Sequence, residues 1–369
     1  MKIGIIYPVP FLDSVPIVQS LALKLASEGN HVKLFVLNSG KYHNAPSIDN
    51  KNIRIYTFNI KKLFKKNRII NFLPNNFLFI LWCYKILDKS KYDHIIGVDP
   101  SGLVISGLLS FIKSINFSYL SLELILRSDK NKMYRGYKLL ESFFIKKTKN
   151  IIIQDDLRLG LLKNEYKLDT DKFLLLPNSP IGNARIRRSK WLHKKLKIPK
   201  KTKIILYIGS WSDQFYNNWI TELASADIGG FLIVVQTRKK IKIEKNYNSE
   251  KIKFLTIPVR YSDLNKLISS ASVGLAFYDG NYSENIKHVG KSSGKMTHYL
   301  FNGIPLICNS LPYWQQSLKK FKSGLCADST IQLQTAIFKI MNNLSSFSDG
   351  AISHFNNDLK INFSSSMLK

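Results

Sequence analysis

Little in this sequence serves redox or metal chemistry. Its 369 residues include three cysteines, Cys83, Cys308 and Cys326, which stand far apart in apolar surroundings with neither CxxC spacing nor neighbouring histidines. That spacing excludes a disulfide framework and a zinc ribbon, and it reads as buried thiols in a reducing compartment. The N-terminus, MKIGIIYPVP, breaks at proline after an apolar stretch far shorter than a signal peptide's core, so a cytoplasmic location is expected. The apolar run within Phe72–Trp82 is uninterrupted for only about eight residues, against the roughly 20 needed to span a bilayer. The P-loop pattern GxxxxGK[ST] is absent, and no DxD-type carboxylate pair stands at a strand end. Neither a resident metal nor a tightly held cofactor is therefore expected.

Acidic side chains are scarce as well. Lys+Arg number 55 against 25 Asp+Glu, a formal net charge of +30, and such an excess calls for an anionic partner. Nucleic acid, an anionic lipid surface and a phosphorylated substrate all satisfy it; so does a lysine-rich surface produced by nucleotide bias.

What is present in quantity is apolar surface. A hydrophobic fraction of 45% with 12% aromatics exceeds what a disordered chain carries. At this length two α/β domains are expected, with a cleft between them. Short apolar runs at Lys2–Tyr7, His31–Leu37, Ile53–Ile60, His94–Asp99, Ile115–Leu122, Asn150–Gln154 and Phe173–Leu176 read as buried strands. Helical patterns lie between them at Val15–Glu28, Ser101–Lys113 and Lys132–Lys149. A second series starts at Ile204–Gly209 and continues through Phe231–Gln236, Ile252–Val259, Val273–Tyr278, Pro305–Asn309 and Gly324–Ala327. Strands alternating with helices imply two parallel sheets of Rossmann-like design. The expected division is 1–180, 181–345 and a tail, 346–369, that packs back on the first domain or frays. The basic stretch Arg185–Lys203 marks the boundary.

Ligands of such sheets bind beyond the carboxyl ends of the strands. Lys291-Ser292-Ser293-Gly294-Lys295 precedes a helical run, and its amides, hydroxyls and two lysines suit a diphosphate; it reads equally as a Ser N-cap with solvated lysines. Gly209-Ser210 after a strand permits close backbone approach to a ligand, or makes a tight turn. Asp13 and Asp99 each read as a general base or as a helix cap. Glu123 ends an apolar run and serves either as a catalytic carboxylate or as an ion-pair partner of Arg127. Lys61, Lys62, Lys65, Lys66 and Arg68, just before the segment Phe72–Trp82, suit a shallow interfacial anchor on anionic lipid, or a core helix behind a solvated loop.

Several segments together carry a resemblance: Phe117–Glu123, Ile152–Arg158 and Leu176–Ser179 in the first half, and Ile208–Ser210, Ile257–Leu264 and Ser292–Ile307 in the second. The chain resembles the bacterial family-4-type glycosyltransferases of GT-B fold that assemble cell-surface polysaccharides. The likeness implies that Gly209 and Ser210 with Ser292, Ser293, Gly294 and Lys295 hold the diphosphate of a nucleotide sugar; Lys291, from the same basic turn, joins them as a candidate, and a uridine diphosphate donor is expected. It places Val259, Arg260 and Tyr261 beside the base, His298 toward the pyrophosphate or sugar, and Glu123 at the transferred sugar or the acceptor; an inverting reaction needs a base such as Asp13 or Glu123. The implied partners are a lipid-linked or surface-polysaccharide saccharide and an anionic membrane surface at the inner face of the cell membrane. Many retaining members carry Glu-x7-Glu where this chain has Gly290 and His298, which leaves inversion or retention open. Two other readings stand beside it: a nucleic-acid-binding protein using its charge, for which no known module is present, and a sugar-phosphate epimerase needing two carboxylates and a histidine.

Overall fold

The computed structural model describes residues 1–10, 12, 15–38, 48–59, 68–88, 92–124, 126, 133–168, 172–212, 215–238, 241 and 250–369, the side chains of 68–76, 88 and 133–137 excepted. The chain divides into two compact units, Met1–Pro177 with Asn362–Lys369, and Asn178–Ile361.

In the first unit β1 (Lys2–Tyr7), β2 (His31–Asn38), β3 (Ile53–Asn59), β4 (His94–Val98), β5 (Asn116–Leu120), β6 (Ile151–Ile153) and β7 (Phe173–Leu175) form one parallel sheet in the order β3-β2-β1-β4-β5-β6-β7. Helices α1 (Pro16–Ser27), α2 (Arg68–Asp88), α3 (Asp99–Lys113), α4 (Met133–Ile145) and α5 (Asp156–Tyr166) connect them. Strands covered on both faces must be apolar throughout, which is why β4 is buried at every position. Right-handed crossovers place α1 on one face and α2 to α5 on the other. Phe79, Leu103, Phe144 and Leu162, one from each of those four helices, accordingly share a core cluster with Ile95 and Phe117.

The second unit holds β8 (Ile204–Ile208), β9 (Leu232–Gln236), β10 (Ile252–Leu255), β11 (Val273–Ala276), β12 (Leu306–Cys308) and β13 (Gly324–Cys326), again parallel, in the order β10-β9-β8-β11-β12-β13. Its helices are α6 (Trp191–Lys195), α7 (Asn217–Ser225), α8 (Tyr261–Ile268), α9 (Glu284–Lys287), α10 (Gly294–Phe301), α11 (Pro312–Phe321), α12 (Thr330–Asn342) and α13 (Leu344–His354), followed by one π turn at Phe355–Leu359. Side chains alternate across each strand, so Leu206 enters the cluster containing Met296 and Trp314 while Tyr207 enters the opposite one with Ile220 and Ile337.

Three details bear on the sequence reading. The strand expected at His94–Asp99 stops at Val98, because Asp99 takes a left-handed conformation (φ 59°) and opens α3. The basic stretch Arg185–Lys203 is folded within the second unit. It buries Leu192 and Ile198 and stacks the Arg187 guanidinium over Phe301 at 4.3 Å. Residues 346–361 pack as α13 and the π turn of the second unit, and the last eight residues join the first. There the Ser365 amide donates to the Glu28 carboxylate at 2.7 Å and Asn150 Nδ2 donates to the Met367 carbonyl at 3.0 Å. No helix among the described residues is long and apolar enough to cross a membrane.

Candidate active site

Each sheet reverses its strand order once, between β1 and β4 in the first unit and between β8 and β11 in the second. Such reversals separate neighbouring loops and open a crevice for ligands at the carboxyl ends of the strands.

At the β8/β11 reversal, Gly209 follows β8 with φ 134°, a conformation that favours glycine. A Cβ there would stand 3.3 Å from Lys295 Nζ, so the Gly209-Ser210 turn and the Lys291–Lys295 turn meet. The Lys295 ammonium is half-buried, with the rings of Tyr278, Phe215 and Tyr207 centred 4.5, 4.9 and 5.2 Å from it. No carboxylate or hydrogen-bond acceptor among the described residues pairs with it. Burial pulls its pKa down to about 7. An ammonium in that setting is partly neutral until an anion arrives.

The rest of the turn is committed to structure. Ser293 is the N-cap of α10, accepting from the Met296 amide, and its hydroxyl also bonds Tyr278 at 2.7 Å. Ser292 Oγ donates to the Val289 carbonyl. Lys291 turns to Asp358 in the π turn, Nζ to Oδ1 2.6 Å. Burial alone would raise the Asp358 carboxyl, but the hydrogen bonds from Lys291 and Tyr313 outweigh it and hold the group below its ordinary range. Asn178 braces the turn from outside, its amide N–H donating to Lys291 O and its Nδ2 to Ser292 O, both at 2.9 Å. Gly294 lies against it, where a Cβ would come within 3.0 Å of the Asn178 side chain.

One turn along α10, His298 is buried and donates from Nδ1 to Gly294 O at 2.6 Å. This fixes the tautomer and leaves Nε2 a buried acceptor without a partner among the described residues. Burial lowers its pKa to about 4, so it is neutral at pH 7. Tyr261 at the start of α8 meets its ring edge-on at 6.3 Å; Arg260, exposed, occupies the N-cap position, and Val259 is half-buried against the core. Gly209, Lys295, His298 and Tyr261 are thus gathered around α10.

At the β1/β4 reversal the chemistry has the other sign. Asp99 Oδ1 accepts the amides of Leu122 and Glu123, both at 2.9 Å, so it ties the β4 and β5 loops rather than capping α3. Burial, and then the Glu123 charge, push its pKa up to about 7 against those two hydrogen bonds. Arg158, fully buried, donates to Leu122 O at 2.7 Å, and its backbone is capped by Asp155. Glu123 itself is exposed at the mouth of this cluster. α3 approaches very closely here: a Cβ on Gly97 would fall 2.4 Å from the Gly102 carbonyl.

Asp13, Arg127, Lys61, Lys62, Lys65 and Lys66 lie outside the described residues, as do the side chains of Arg68 and Phe72. Trp82 packs among Phe35, Phe58 and Phe79. The aromatic walls Tyr207, Phe215 and Tyr278 were not singled out in sequence, since each sits in an ordinary strand or loop pattern. Among the described residues no three His, Cys, Asp or Glu side chains are grouped to hold a metal.

No protein-family model matches the chain, and no curated protein matches it by sequence. Solved structures do match. Sucrose-phosphate synthase from Thermosynechococcus elongatus aligns with a TM-score of 0.70 and 13% identity over 98% of this chain and 95% of that one. WaaG, a glycosyltransferase involved in lipopolysaccharide biosynthesis, gives 0.67 and 14% over 97% and 96%. Anabaena HepE in complex with UDP-glucose gives 0.62 and 10% over 96% and 93%. The chain has the GT-B fold. At these identities the likeness is one of architecture, and it extends to the UDP-GlcNAc 2-epimerase of Methanocaldococcus jannaschii (TM-score 0.56, 13%, covering 96% and 99%).

Proposed function

We propose that this GT-B protein is a glycosyltransferase that moves a sugar from a nucleotide diphosphate donor, a UDP-sugar, to a lipid-linked or surface-polysaccharide saccharide at the inner face of the cell membrane, without a metal. The observation that carries the reading is the half-buried Lys295 ammonium at the β8/β11 reversal, walled by three rings and with no anionic partner among the described residues. A diphosphate supplies that anion. As the glycosidic bond to the donor breaks, charge accumulates on the leaving phosphate, and the Lys295 ammonium with the first amides of α10 stabilises it in place of a metal ion. Gly209 leaves room for the phosphate, and His298 Nε2 accepts from a hydroxyl of the donor. Val259, Arg260 and Tyr261 flank the base. Glu123 takes the acceptor's proton if the reaction inverts, whereas the leaving phosphate does so if it retains.

UDP in the HepE complex and the glycosyltransferase WaaG among the fold's neighbours support this reading. Titration calorimetry of the protein with UDP, GDP, CMP and ADP tests it. Saturable UDP binding that Lys295→Ala weakens is the expected result, and no binding of any nucleotide sinks it. An epimerase of the same architecture would interconvert the UDP-sugar without acceptor, so the donor's NMR spectrum after incubation alone separates the two activities.

A further inference from the structure

The last rung of the β12/β13 ladder is a pair of thiols. Cys308 and Cys326 stand directly opposite each other in the parallel register, after Leu306 with Gly324 and Ile307 with Leu325. Registered residues of neighbouring parallel strands point to the same face, and both cysteines accordingly pack with the cluster that holds Met296 and Trp314. Such strands run about 4.8 Å apart, inside the roughly 4.4–6.8 Å that disulfide-bonded residues span between Cα atoms. The sheet thus holds two thiols within reach of a bond, although α11 separates them in the chain. Neither takes part in the proposed transfer.

The two are unlike. Cys308 is fully buried, and burial pushes its thiol well above the ordinary range. Cys326 is half-buried and its pKa is lowered, because the Cys308 S–H donates to its sulfur and the Ser310 hydroxyl adds a second hydrogen bond, together outweighing partial burial and the Asp328 charge. An acidic, reachable thiol beside a resolving partner is what oxidants attack first. Cys83 is the contrast: burial raises its thiol, and no second thiol shares its core cluster. The pair also adjoins the Lys295 site. Asn309, next after Cys308, clasps the Tyr278 backbone, its Oδ1 accepting the Tyr278 amide and its Nδ2 donating to the Tyr278 carbonyl, both at 2.9 Å. Tyr278 in turn walls Lys295 at 4.5 Å and bonds Ser293, the N-cap of α10, at 2.7 Å.

We infer that Cys326 and Cys308 are a site of oxidative modification: a peroxide closes them to a disulfide, and the closure weakens nucleotide binding at Lys295. The Cys326 thiolate attacks the peroxide; an S–O bond forms, the O–O bond breaks, and the hydroxide that leaves is protonated to water. The Cys308 sulfur then attacks the Cys326 sulfenic acid. An S–S bond forms, the S–O bond breaks, and the Cys308 proton departs with the hydroxyl as a second water. One peroxide is reduced as two thiols become one disulfide, and an external dithiol reverses the change. The S–S bond, about 2.05 Å, is far shorter than a thiol–thiol hydrogen bond, so closure draws the end of β12 toward β13 and moves Asn309, and with it Tyr278, from its place beside Lys295. The nucleotide half of the inference rests on the proposed function; the thiol chemistry does not.

The test is hydrogen peroxide treatment of the reduced full chain, read by non-reducing tryptic peptide mapping and by calorimetry with UDP. Lys319, Lys320 and Lys322 lie between the two cysteines, so a disulfide joins two separate peptides. Wild type gives that linked pair while Cys83 stays open to alkylation, and its UDP affinity falls about fivefold or more until dithiothreitol restores it. Cys308→Ser stops at a Cys326 sulfenic acid that dimedone traps. Cys326→Ser, at a half-buried position, keeps the UDP affinity and melting temperature of the reduced protein and loses the response to peroxide. The inference is overturned if Cys83 oxidises as readily as Cys326, if the link joins two chains, if Cys326 passes to sulfinic acid without a link, or if the link forms and UDP affinity holds. A link that forms in a protein binding no nucleotide even when reduced would sink the transferase reading and uphold the thiol pair.

Discussion

The two strand-order reversals of this chain are built on the same plan and hold opposite charges. At one, a carboxylate, Asp99, lies beneath the Leu122–Glu123 turn; at the other, an ammonium, Lys295, lies among aromatic rings. Burial moves both toward neutrality from opposite sides, the acid up to about 7 and the base down to about 7. A Rossmann-like half thus fixes where a functional group stands, while the loops decide its sign. Under the proposed function the first suits a hydroxyl acceptor and the second a diphosphate.

The largest effect expected from breaking this division of labour is on turnover. Glu123→Gln lowers kcat of sugar transfer by about 10²- to 10⁴-fold if Glu123 is the base, with UDP affinity unchanged. Steady-state transfer assays with parallel calorimetry check it, and a variant that turns over normally would remove Glu123 from the chemistry. Next, Lys295→Ala weakens UDP binding by roughly 10- to 100-fold, the worth of a charge-assisted contact, while melting in the absence of nucleotide changes little or improves. Unaltered UDP affinity would leave the second reversal without a ligand.

A smaller, structural effect belongs to Gly97. Forcing a Cβ against the Gly102 carbonyl in Gly97→Ala destabilises the first unit by about 1–3 kcal/mol. Urea unfolding reads this as an earlier transition, and an unshifted midpoint would show that α3 can move.

The subtlest tests use pH. Lys295 must be charged to hold phosphate, and its pKa without ligand is about 7, so UDP affinity falls as pH rises above 7 and binding takes up a proton. The slope disappears in Lys295→Ala. Asp99 is the opposite case: its folded pKa, about 7, exceeds the ordinary 3.8, so the folded state holds the proton more tightly and loses stability as pH climbs through that window. Asp99→Asn keeps the acceptor oxygen and should flatten that part of the stability profile measured by denaturant titration. Equal profiles for variant and wild type would mean Asp99 is ionised throughout.

The strands were legible because a parallel sheet covered on both faces demands continuous apolar runs, and β1, β2 and β3 begin where those runs begin. Element ends were less legible. The Asp99 turn shortens β4 through a left-handed residue that apolar patterning does not register. The turn at Lys291–Lys295 was visible as small and basic, yet its two lysines are alike in sequence. One is bound by Asp358, 67 residues away, and the other is left facing Tyr207, Phe215 and Tyr278.

By itself, the sequence determined the alternation of strands and helices, and hence two parallel sheets with ligand loops at their strand ends, because those features depend on local apolar periodicity. It also determined an excess of positive charge. Only the tertiary structure decided which lysine of the Lys291–Lys295 turn pairs with Asp358, which carboxylate is buried, and which apolar side chains remain outside on α3 and α4. Each of those is set by partners distant in the chain, and burial acts on a side chain only once they are in place.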